Sequence, residues 1–225
     1  MYQFTLRAIA SYLEQLPLAI ATTLELSLLG ILLGLVLGIA GALCRTSPLR
    51  VLRAVGTVYV EILRNVPLLI VIYLVYFGFA EFGLHIGNFQ SALIALSLNA
   101  GAFMTEVLRG GLAAIDQGQY LAARSQAMTG VQVYRYVIFP QMFRIIYAPL
   151  GNLFISVVLG SVVASVIGVP EVMDWVQVTG SASFRYLEAF LIGGTVYVAL
   201  AQLINLGRIL IGRMLLRHEA PGSRA

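Results

Sequence analysis

The chain has 225 residues, 60% of them hydrophobic and only 11% charged, with a formal net charge of +4. Soluble domains average roughly 45–50% apolar and about 25% charged, so both a soluble globule and a disordered chain are excluded. All fourteen basic residues are arginine; without lysine there is no P-loop and no Schiff-base chemistry.

Tyr2–Leu16 mixes apolar and polar residues at roughly helical spacing, which predicts a segment lying in the outer membrane interface. The first predicted span is Leu26–Cys44, extended upstream through Glu25 to Thr22. Ala40-Gly41-Ala42 resembles a signal cleavage site, but the apolar run exceeds the roughly 7–15 residues of a signal peptide. Gly30, Gly34 and Gly38 form a small-residue ridge that lets another helix approach closely, within the chain or across a dimer. Cys44 reads as apolar filler near the helix end, since one cysteine with His85 and His218 is too sparse for a metal site.

The second predicted span covers Val66–Ala80 and needs the turn from about Tyr59 to reach the roughly 20 residues of a bilayer crossing. Pro67 weakens it. The third is Ser91–Leu108, the fourth Ile145–Val169 and the fifth Ala189–Gly207. Trp175, on the outer connection before the fifth, either anchors that loop or touches an external partner. A short polar tail, 217–225, is expected to be disordered.

Arginine placement orients the chain. Arg45, Arg50, Arg53 and Arg64 lie in the first connection, and Arg109, Arg124, Arg135 and Arg144 in the third. Arg208, Arg213, Arg217 and Arg224 follow the last span, so twelve of fourteen share one side. The N-terminus is therefore expected outside and the C-terminus in the cytoplasm. The positive charge is a topology signal, not a nucleic-acid footprint.

Polar side chains at bilayer depth are candidates for a translocation path: Glu25, Asn99, Asn152 and Gln202, with Asn205 on the face of Gln202. Helix–helix hydrogen bonding is the alternative for the amides, and snorkelling to outer water is the alternative for Glu25. No nucleophile–base or metal constellation supports an intramembrane enzyme.

About 35 residues, Arg109–Arg144, separate the third and fourth spans. Asp116 suits an N-cap and Gly130 a left-handed C-cap. A second short helix is expected to about Ile138, with Pro140 in the first turn of the fourth span.

This loop resembles the cytoplasmic signature of ABC-importer permeases: Glu-Ala-Ala, a later Gly, then a terminal Pro. Here Ala122, Ala123, Gly130 and Pro140 match, while Leu121 stands at the Glu position. Thr23-Leu24-Glu25-Leu26-Ser27, Glu61-x-x-Arg64-Asn65-x-Pro67-Leu68-Leu69 and Glu106-x-x-Arg109-Gly110-Gly111 resemble the polar amino acid subfamily. So do Gly118-Gln119, Pro140-Gln141, Asn152 and Ser165-Val166-Ile167-Gly168.

The resemblance implies an all-α integral membrane chain of the type I importer permease fold, with about five transmembrane helices. The permease domain would cover 19–216, between an outer amphipathic segment, 1–18, and the tail. It implies a permease of the bacterial cytoplasmic membrane moving polar amino acids and fed by an extracytoplasmic binding protein. ATPase subunits, holding ATP and Mg, would dock at Leu121, Ala122, Ala123, Arg124, Gly130 and Pro140. Family members commonly carry Lys-Asp/Asn-Thr-Ser where this chain has Leu159-Gly160-Ser161-Val162. With Leu121, that departure favours a related second permease chain over a second copy of this one as partner in the membrane. A stand-alone secondary transporter or channel is the competing function. Five spans are few for it, and no inverted repeat is visible.

Overall fold

A computed structural model describes residues 4–5 and 7–215. The described residues form helices and short connections only. The tail at 217–225, with His218, lies outside them, as does part of the N-terminal segment.

A 3-10 helix, Arg7–Gln15, runs directly into α1, Leu16–Thr46, giving one helical stretch of 40 residues. Two helices follow in place of one second span: α2, Arg50–Asn65, and α3, Leu68–Glu81, meeting at 110°. The stretch from Tyr59 therefore does not extend the span. Pro67 has no N–H to continue the helical ladder and disfavours helical geometry at the residue before it, and Val66 sits at φ −98, ψ 128. The 14 residues of α3 reach about 21 Å at 1.5 Å each, less than the ~30 Å hydrocarbon core. Four helical stretches are long and apolar enough to cross a membrane, and the bent pair makes up to five.

The third span is α4, Asn88–Ala113. It is the most buried of the spans and packs against α1, α2, α3 and α7, Phe139–Gly160. Gly30, Gly34, Gly38 and Gly41 are all buried and lie against Leu96, Ala100, Met104 and Thr105 of α4. The ridge thus serves packing within the chain. Leu26, Ile72, Ala92, Leu96, Met104 and Val157 are the heart of the apolar core around it.

Between α4 and α7 come α5, Gln117–Ser125, α6, Gly130–Val133, and a π-helical turn, Tyr134–Ile138. Helical structure is continuous from Gly130 to Ile167, so the fourth span begins well before the expected Ile145. The π turn lies just ahead of Pro140, whose missing N–H disrupts regular pairing there. Beyond α7, a 3-10 segment, Ser161–Ile167, ends at left-handed Gly168, φ 73. The fifth span is α9, Tyr186–Leu215, longer at both ends than Ala189–Gly207.

The connection before α9 contains an unexpected helix, α8, Val172–Ser183. Trp175 is buried in it and its Nε1 donates to the Tyr12 carbonyl at 2.8 Å, so it anchors the connection to the N-terminal 3-10 helix and is not free for an external partner. Two contacts tie the helices meeting here, and a third caps α8. Val172 N–H donates to Thr23 Oγ1 at 3.1 Å, Asp174 N–H to Glu171 Oε1 at 3.0 Å, and Tyr197 O–H to the other Glu171 oxygen.

Burial pushes the fully enclosed Glu171 carboxyl up to about 7, the Tyr197 and backbone donors offsetting only part of that desolvation. The folded chain therefore binds this proton more tightly than an unfolded one, where the carboxyl titrates near 4.5. Stability from this group is greatest at acid pH and falls as pH rises from about 4.5 through 7. The thermal midpoint of the purified protein should drop across that window, and Glu171→Gln should flatten the drop. Identical pH profiles for the two proteins would refute the assignment.

Candidate functional site

The loop between α4 and α7 folds on its own small core. Asp116 accepts from Gly118 N–H at 2.6 Å and starts α5 as its N-cap, as the sequence predicts. The helix ends at Gln126, and the left-handed residue is Ala127, φ 59. Gly130 is not a C-cap; it is the first residue of α6. Thr129 Oγ1 accepts from Gln132 N–H while Gln132 Oε1 accepts from Thr129 N–H, a capping box that fixes the start of a new helix at 130. Ala123, Val133 and Ile138 are buried together, flanked by Leu112, Ile115, Met128 and Val137. Gln141 Nε2 bridges to Gln119 Oε1 at 3.3 Å and to the Val137 carbonyl at 3.0 Å, tying α5 to α7.

The six sequence-predicted loop residues thus divide. Leu121, Ala122 and Arg124 are exposed along α5, whereas Ala123 faces inward. Gly130 is half-buried, with open space where a Cβ would stand, and Pro140 is exposed in the first turn of α7. The Arg124 guanidinium lies 5.8 Å from the Tyr120 ring centroid and donates to the Met128 carbonyl at 3.4 Å. It is braced, with its charge still facing outward.

The path candidates do not converge in the single chain. Asn99 is half-buried on α4 and lines a 180 Å³ cavity with Leu68, Phe103, Leu153 and Ser156. Its amide also donates to the Leu63 carbonyl at 2.9 Å, while Tyr59 O–H donates to the Leu98 carbonyl at 2.9 Å. These two bonds pin α2 to α4 beside the break at Pro67. Glu25, Asn152 and Gln202 are exposed on α1, α7 and α9. Asn205 accepts from the Arg208 guanidinium at 2.8 Å.

A charged cluster joins α1, α2 and α4. Glu106 accepts from Arg109 at 2.9 and 3.1 Å, forms an ion pair with Arg45, and lies 3.9 Å from Arg64. Arg64 also sits over the Phe103 ring, 5.4 Å from its centroid. Three guanidinium groups from α1, α2 and α4 thus meet one carboxylate, linked through Arg64 to Phe103 of the cavity wall.

Residues 30–217 match the family described as Binding-protein-dependent transport system inner membrane component. The chain belongs to this permease family. It is 33% identical over 187 residues to the arginine transport system permease protein ArtQ of Bacillus subtilis, covering 83% of this chain and 85% of that protein. It is 34% identical over 199 residues to the L-cystine transport system permease protein TcyB of the same organism, covering 88% and 85%. A solved structure described as an amino acid ABC transporter with histidines superposes with TM-score 0.88 at 31% identity, covering 95% of this chain and all of that one. The MetNI methionine ABC transporter, at TM-score 0.73 and 21% identity, shares the fold.

The permease has the type I ABC importer fold and is a multi-pass inner-membrane component of a bacterial transport system. The family serves binding-protein-dependent transport systems, and its relatives are named as ABC transporter permeases. The charged cluster is the feature of this permease that sequence reading did not assemble. Its residues lie up to 64 positions apart, Arg45 to Arg109; the sequence shows Arg64 in one motif, Glu106 and Arg109 in another, and Arg45 in neither, with nothing to join them.

Proposed function

We propose that this chain is the permease subunit of an ATP-driven importer of polar amino acids. A separate ATPase docks on α5, and a binding protein delivers substrate at the α8 end. The observation that carries this reading is the braced loop. Its own buried core holds α5 rigid while Leu121, Ala122 and Arg124 stay exposed, so a partner can push on α5 and move α7 with it. Closure of the ATPases on ATP would draw two such loops together and swing the spans outward-open. No substrate bond is broken in this chain, and a lysine-free sequence leaves P-loop chemistry to the partner.

ArtQ and TcyB are named for arginine and L-cystine transport, which supports a polar amino acid as cargo. Arginine placement supports an outer N-terminus and a cytoplasmic loop. The cavity beside Asn99 is the segment of the path this chain supplies. Glu25, Asn152 and Gln202 complete it where a second permease chain packs against their exposed faces. That second chain is a related permease that keeps the acidic residue this one replaces by Leu121.

The test is reconstitution in proteoliposomes with the co-purifying ATPase and binding protein. Amino acid uptake should require ATP inside and binding protein outside. Uptake by this chain alone, driven by an ion gradient, would establish the secondary-transporter reading instead.

A further inference from the structure

Beside the coupling loop, the ends of α1 and α4 and the start of α7 enclose a second cavity, of 550 Å³. Its walls are apolar: Ile39 and Leu43 from α1, Leu112 from α4, Phe139 and Met142 from α7. Arg109, Tyr134 and Thr46 supply its polar groups, the Thr46 hydroxyl donating back to the Ala42 carbonyl at 2.9 Å. The volume falls within the roughly 300–1,000 Å³ of small-molecule sites. None of the exposed α5 residues lines it, so it is separate from the face offered to the ATPase.

The electrostatics select the occupant. Arg45, Arg64 and Arg109 against Glu106 leave two positive charges in excess. Arg109 spends its Nε and one Nη2 hydrogen on Glu106, and its side chain is still 40% exposed. The remaining guanidinium hydrogens and the Tyr134 hydroxyl are left to meet a ligand. Such a ligand carries an anionic head and an apolar body. Ile39, Leu43 and Val36 expose apolar surface on the same helix, which places the cavity's open side against hydrocarbon.

We propose that this cavity binds one anionic phospholipid, its phosphate on Arg109 and Tyr134 and an acyl chain along Leu43 and Met142. Basic pockets between helices on the cytoplasmic side suit such head groups. Bound there, the lipid touches both the Glu106 cluster and the first turn of α7, so it stiffens the joint through which the loop moves the spans. The leaflet assignment rests on the orientation proposed above.

The test uses the transporter complex in nanodiscs of equal parts phosphatidylglycerol and phosphatidylcholine, with retained lipid counted by native mass spectrometry. Wild type should keep phosphatidylglycerol over phosphatidylcholine by about 25-fold, from two excess charges each worth about fivefold. Arg109→Gln should lower that preference about fivefold. Since Arg109 also holds Glu106, a second variant fills the cavity instead. Ala42→Trp lines the same space, leaves the ion pairs intact and should abolish retention without moving the thermal midpoint. Equal retention of the two lipids by wild type, or unchanged retention in both variants, overturns the proposal. Displacement by excess glycerol 3-phosphate also overturns it, because the acyl chain would then add nothing. A change of oligomeric state with phosphatidylglycerol kept assigns the cavity to a second copy and overturns it too. Co-purification of ATPase is scored separately: its absence counts against the transport reading, while lipid retention still tests the cavity.

Discussion

Gly41→Ala should destabilise the permease by about 1–3 kcal/mol, the usual range for overpacking, and Thr105→Ala should restore most of the loss. A Cβ on Gly41 would land on Thr105 Oγ1, with the Thr105 Cβ further off at 3.2 Å. Removing the hydroxyl and methyl of Thr105 therefore opens the space. The cost of that removal is small, because Thr105 Oγ1 bonds mainly back to the Gly101 carbonyl at 2.8 Å within its own helix. Gly38 behaves differently. Its added Cβ would stand 2.7 Å from the Met104 Cβ, an atom every residue but glycine keeps. Gly38→Ala should therefore be as damaging, and Met104→Ala should not rescue it. Met104→Ala would deepen the loss, since Met104 is fully buried and its truncation adds a cavity. Thermal midpoints and membrane abundance of the single and double variants measure the contrast. Equal rescue at both positions would rule out the register of α1 on α4.

That register marks the boundary of what the amino acids alone disclose. Four-residue spacing of glycine announces a close helix contact in the sequence, but the ridge fits any partner with small side chains opposite. Only Leu96, Ala100 and Met104 on α4 identify it. Pro67 likewise announces an interruption, yet not the 110° turn, because the bend depends on Asn99 and Tyr59 pinning α2 across α4. Helix α8 was illegible for another reason. Its Ser, Gly and Asp content dilutes the apolar pattern, and its buried face is made by Tyr12, Leu16 and Tyr197, which lie far away in the chain. At the loop, Asp116 and Pro140 carried local rules that hold in the structure. Gly130 by itself suggests a C-cap, but the spacing of Thr129 and Gln132 is the stronger signal and marks a helix start. The family motifs reach further than any of these, since they run from Thr23 to Gly168 without locating a single contact.

The largest functional effects are expected at two adjacent alanines, and the structure gives each a different route. Ala122 is exposed on α5, and Ala123 is buried against Val133 and Ile138. Ala122→Trp should leave membrane abundance and thermal midpoint unchanged while lowering ATP-driven uptake at least about tenfold, as for a well-packed contact worth about 1.4 kcal/mol or more. Ala123→Trp should also stop uptake, by a different route. An indole cannot fit within that cluster, so α5 separates from α6 and the loop becomes sensitive to limited proteolysis. Gly130→Asp is the control for position. Its Cβ meets nothing within 4 Å, and a carboxylate at the first residue of α6 is favourable to the helix, so folding should survive. Any loss of uptake in that variant then reports on the docking surface itself. Binding of the purified ATPase separates the cases: Ala122→Trp should weaken it with the loop intact, and Ala123→Trp only as the loop opens. Were the two tryptophans to behave alike, with the loop equally resistant to protease, α5 would not be anchored through Ala123. The face offered to the ATPase would then have to be sought elsewhere on the loop.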